Sequence, residues 1–110
     1  MLPSTDSVQV NALSFDVEHW HEAALLQDSV TDPTVRIEDS LARVLRILDR
    51  HGVTATFFVV GELAAEFPDL VARIHDGGHE LVSHGHVHES VSTFTPRTFR
   101  GNLARSADAL

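Results

Sequence analysis

Between residues 35 and 51 the apolar positions Ile37, Leu41, Val44, Leu45 and Leu48 recur at three- and four-residue spacing, which predicts an amphipathic helix. Gly52 follows as its stop. Residues 54–60, TATFFVV, are instead dense in β-branched and aromatic residues without alternation, the pattern of a strand covered on both faces. Upstream, residues 8–16, VQVNALSFD, read as a buried strand that delivers Asp16 at its C-terminal end, and residues 20–33 as a surface excursion after it. A second helical stretch over 62–76 breaks at Phe67 and restarts at Pro68, with Leu70, Val71 and Ile74 on its buried face. Gly77 and Gly78 stop it. Residues 80–83, ELVS, predict a short third strand, and Thr95 with Pro96 reads as N-cap and first residue of a last helix containing Phe99 and Leu103.

Strand, helix, strand, helix, strand, helix is the order of a parallel α/β unit, because parallel neighbours need a crossover that a helix supplies. Functional groups in such folds collect at the C-terminal ends of the strands. Asp16 and His84 both fall there. The 110 residues, 43% of them hydrophobic, suit one domain or one piece of one, with no internal repeat and no linker.

Charge and residue usage narrow the chemistry. Sixteen acidic residues against eight basic ones give a net charge of -8, and no cluster of Lys and Arg forms a stripe for successive phosphates, which disfavours nucleic acid and anionic membranes. The absence of cysteine leaves imidazole and carboxylate as the available metal ligands. No basic-then-apolar leader opens the chain and no run approaches the roughly 18 apolar residues of a membrane span, so the chain as written reads as cytoplasmic.

Eight histidines are the most informative count, since imidazole serves both as metal ligand and as acid or base. Three of them, His84, His86 and His88, stand within five residues directly after the third strand. An extended backbone would put all three on one face; a turn into helix would bring His84 and His88 together at i and i+4 and send His86 elsewhere. Gly85 permits that turn and favours the second geometry. The other cluster is SFDVEHWH, residues 14–21, in which Asp16 and Glu18 face the same side of an extended backbone. Two such acids repel unless a cation or a proton lies between them.

SFDVEHWHE followed by SHGHVH resembles the first two motifs of the polysaccharide deacetylase family, the carbohydrate esterases with a NodB homology domain. The text between them, TATFFVVGELAAEFPDLVARIHDGGHELVSHG, is similar to that family's strand, helix and strand, and the resemblance covers residues 10–105. It implies the N-terminal part of a deformed (β/α) barrel of NodB type, residues 1–110 being a partial domain with motifs one and two only. It further implies a metal-dependent hydrolase that removes N-acetyl or O-acetyl groups from a polysaccharide or amino sugar. The alternatives are another metal-dependent amidase or esterase on this scaffold, or a catalytically incomplete metal-binding fragment.

By motif position the resemblance makes Asp16 the general base and His84 and His88 two ligands of a divalent metal, zinc. The family's commoner first motif has two adjacent Asp, whereas Val17 stands here, so the metal carboxylate moves to Glu18, with His19 as the substitute. Gly85 replaces a hydroxyl residue, which removes a hydrogen bond often made there. Trp20 and His21, with Phe94, are the candidates to line a sugar groove. The family's later motifs, which bring the general acid, do not appear before Leu110, and a closed barrel usually takes 200 residues or more. A missing C-terminal part, a partner chain or self-association is therefore expected.

Overall fold

The computed structural model describes residues 9–19 and 36–110. Its elements are β1 (Ser14–Val17), α1 (Ile37–His51), β2 (Thr56–Val59), α2 (Gly61–Glu66), α3 (Pro68–Asp76), β3 (Glu80–Ser83), a 3-10 turn (Val91–Thr93) and α4 (Pro96–Ala109). The strands form one parallel sheet in the order β1-β2-β3.

Helix ends follow from local chemistry. Glu38 and Asp39 sit in the first turn of α1 and Arg50 and His51 in its last, each complementing the helix dipole. Gly52 then takes φ +62°, and the Val53 N–H reaches Leu48 O at 2.9 Å, a Schellman-type end that this left-handed residue permits. Pro68 opens α3 where Phe67 closes α2, as the sequence predicts. At α4 the Thr95 hydroxyl accepts from the Thr98 N–H while the Thr98 hydroxyl accepts from the Thr95 N–H, a reciprocal capping box.

Strand parity divides the sheet into two faces. Phe15, Val17, Phe57, Val59 and Leu81 point into the core, where they meet Leu41 and Leu48 of α1, Leu63 of α2, and Leu70 and Ile74 of α3. Register places Asp16, Phe58 and Val82 in one row on the other face, which no helix of the described residues covers. Helices on one side and an open inner face on the other is the arrangement of consecutive barrel staves.

One expectation needs correction. The first strand begins at Ser14 rather than at residue 8, because β2 starts at Thr56 opposite Ser14 and offers no further backbone to pair; Val10 is accordingly exposed. Arg43, Arg46 and Arg50 line one shallow groove on α1 around the exposed Ile47. Among the described residues no helix is long and apolar enough to cross a membrane.

Candidate metal centre

The parallel hydrogen-bond pattern runs one residue past the strands. Val60 N–H donates to Val17 O at 3.2 Å and His84 N–H to Val59 O at 3.0 Å, so Glu18 and His84 emerge at the C-terminal edge of the sheet. Gly85 then takes φ +76°, a conformation that costs a side-chain-bearing residue energy, and the chain bends back to bring His88 beside His84. The bend is irregular and not helical, which corrects the expected helical turn. The result for the rings is the same, with centroids 5.5 Å apart and planes at 66°.

Glu18, His84 and His88 each offer one ligand atom, and these atoms lie within 4.8 Å of one another. His84 Nε2 is 3.6 Å from Glu18 Oε2, and His88 Nε2 contacts the same oxygen. Yet Glu18 Oε2 is buried and makes no hydrogen bond, so neither nitrogen satisfies it. An orphaned buried carboxylate oxygen facing two imidazole nitrogens is costly unless a proton or a cation occupies the space between them. One carboxylate and two imidazoles, with the side chains only 21–32% exposed, form a donor set suited to a divalent cation that keeps open positions for other ligands.

Other candidates separate by strand parity. His19 turns away from the centre: it is buried, edge-on to Phe67 at 6.2 Å between centroids, with Nε2 3.7 Å from Glu66 Oε2. It does not join the ligand group. Asp16 lies on the same face as Glu18 but outside the ligand group, exposed, in a row with Phe58 and Val82. A cavity of about 230 Å³ runs along β1 and α1, lined by residues 15–18 and walled by Ile37, Leu41 and Val44. Phe94 packs on Phe99, at 6.4 Å between centroids, in keeping with a packing role. Trp20 and His21 lie outside the described residues.

What holds the histidine loop was missed by the sequence reading. His86 points inward and is buried between α2 and α4, while its N–H donates to Asn102 Oδ1 at 2.9 Å. Ser106 of α4 is completely buried and its Oγ meets Ser83 Oγ at 2.5 Å. The available signal was the spacing of Asn102 and Ser106, four residues apart on one helical face. Leu103 between them is largely exposed.

The sequence profile described as polysaccharide deacetylase matches residues 6–110. The peptidoglycan-N-acetylglucosamine deacetylase of Bacillus cereus is 32% identical over 68 residues, 62% of this chain and 25% of that protein. A chitooligosaccharide deacetylase of Bradyrhizobium sp. is 34% identical over 67 residues, 61% of this chain and 31% of that protein. The matched segment thus spans between a quarter and a third of these relatives. Among solved structures, a family 4 carbohydrate esterase from Streptomyces lividans, in complex with acetate, superposes with a TM-score of 0.67 over 89% of this chain and 42% of that one; at 23% identity it speaks for the fold.

Proposed function

The chain belongs to the polysaccharide deacetylase family, and from that premise we propose that it contributes the metal ligands and the base of a hydrolase that removes N-acetyl groups from a glycan. The observation that carries this reading is the convergence of Glu18, His84 and His88 on a buried carboxylate oxygen without a hydrogen-bond partner. We assign the cation as zinc, since two imidazoles and one carboxylate are a ligand set of catalytic zinc sites. When bound, it supplies Lewis-acid polarisation of the acetyl carbonyl.

The chain's own residues do the rest. Glu18, His84 and His88 fix the centre at the rim of the sheet, and Asp16, exposed on the same face, takes a proton from the attacking water. The products are acetate and a free amino sugar. By name the two relatives are a peptidoglycan-N-acetylglucosamine deacetylase and a chitooligosaccharide deacetylase, which supports an N-acetylglucosamine-containing glycan over an O-acetyl ester.

The test is acetate and free-amine release from N-acetylated glucosamine oligosaccharides, with an O-acetylated glycan in parallel. It is run on the zinc-loaded chain alone and joined to the family's later motifs, each with and without Asp16→Asn. Amine release that disappears in Asp16→Asn while zinc stays bound supports the proposal. Release that Asp16→Asn leaves untouched, or none from either zinc-loaded form, contradicts it.

A further inference from the structure

Residues 84–88 carry both imidazoles of the centre but form neither helix nor strand, so their backbone polar groups need partners from other elements. Partners come from two sides. From the start of α2, the N–H groups of Gly61 and Glu62 donate to the carbonyls of Gly85 and His86, each at 2.8 Å. From α4, Asn102 Oδ1 accepts from the His86 N–H, midway between the two ligands.

A second tether runs through hydroxyls, and its direction is fixed. Ser106 Oγ donates to Leu103 O at 2.8 Å, which uses its single proton, so Ser83 must be the donor in the 2.5 Å Ser83–Ser106 contact. Ser83 Oγ in turn accepts from the Gly85 N–H at 3.1 Å. The relay therefore reads Gly85 N–H, Ser83, Ser106, Leu103 carbonyl. Gly85 is also where a Cβ would stand 3.2 Å from Asn102 Oδ1, so the carboxamide sits closely over the bend.

We infer that Asn102 is a positioning residue of the metal centre: from α4 it pins His86 and, with the Ser83–Ser106 relay, holds His84 and His88 in the orientation that directs both Nε2 atoms at Glu18. Asn102 acts through the two histidines. The inference rests on the metal-site reading above and adds to it the element that sets ligand geometry.

The test is zinc titration of the 110-residue chain, of Asn102→Ala and of Asn102→Asp, with the His84→Ala, His88→Ala double variant as the control for the site itself. Cobalt absorption spectra and metal-free melting temperatures are recorded for each. Loss of the outer hydrogen bond in Asn102→Ala is expected to weaken zinc binding by about 10- to 100-fold and to alter the cobalt spectrum. Asn102→Asp, which keeps an acceptor oxygen in place, is expected to recover most of that loss. If Asn102→Ala does not fold, Asn102→Gln, which shifts the carboxamide by one methylene, takes its place with the same expectation.

A merely structural Asn102 would lower the metal-free melting temperature and leave the affinity and cobalt spectrum of the folded protein unchanged, and that result overturns the inference. So does an Asn102→Asp variant no better than Asn102→Ala. Zinc binding that is lost in the double-histidine variant but untouched in Asn102→Ala removes the inference and leaves the metal site standing. No binding by the parent chain removes both.

Discussion

Gly61 stands where α2, α4 and the histidine loop meet, and replacing it with alanine tests how tightly that junction is packed. The added Cβ would lie 2.5 Å from His86 Nδ1, 2.9 Å from Ser106 Cα and 3.0 Å from His86 Cα, whereas ordinary contact begins at 3.4 Å. Two of these neighbours are backbone, so the loop or α4 must retreat by several tenths of an ångström. Overpacking of this kind costs about 1–3 kcal/mol. The shift also strains the two 2.8 Å bonds from Gly61 and Glu62 to the loop, each worth about 1 kcal/mol. Against this, alanine recovers about 0.4–1 kcal/mol of unfolded-chain entropy. A net loss of about 1–2 kcal/mol follows, which lowers the urea midpoint by roughly 1 M at the slopes usual for small domains. Gly101→Ala is the control, because its Cβ meets nothing within 4 Å in the middle of α4, and it should gain about 0.5–1 kcal/mol. Both are measured by urea unfolding at one fixed protein concentration with chelator present, since association and bound metal shift apparent stability. A Gly61→Ala midpoint equal to or above the parent's would refute the packing argument.

Two further predictions come from strand parity and from the open sheet. Glu18→Gln should weaken zinc binding at least tenfold while His19→Gln changes it little, as read by calorimetry; the reverse order would shift the site by one residue. The outer edges of β1 and β3 have no strand partner among the described residues and the Phe58–Val82 row is uncovered, so sedimentation velocity of the 110-residue chain should show self-association that grows with concentration. A monomer at every concentration would mean that this face is protected.

What was legible in the sequence was local. The three-four spacing from Ile37 to Leu48, the break at Pro68 and the Thr95-Pro96 start each depend on a few neighbouring residues, and each stands in the structure. The two-residue period of a strand likewise separates Glu18, which joins the ligand group, from His19, which packs on Phe67. Less legible was whatever depends on a distant partner. The start of β1 is set by where β2 begins, 42 residues later in the register of Ser14 with Thr56. The inward turn of His86 and the burial of Ser106 depend on α4 crossing the loop, which no local pattern announces.

The most direct test of the central claim is a zinc titration of the chain beside its His84→Ala, His88→Ala variant, followed by calorimetry. One zinc per chain, bound by the parent and lost in the double variant, is the result that a centre built on Glu18, His84 and His88 predicts. Equal affinity in the two proteins, or no binding by either, would contradict it.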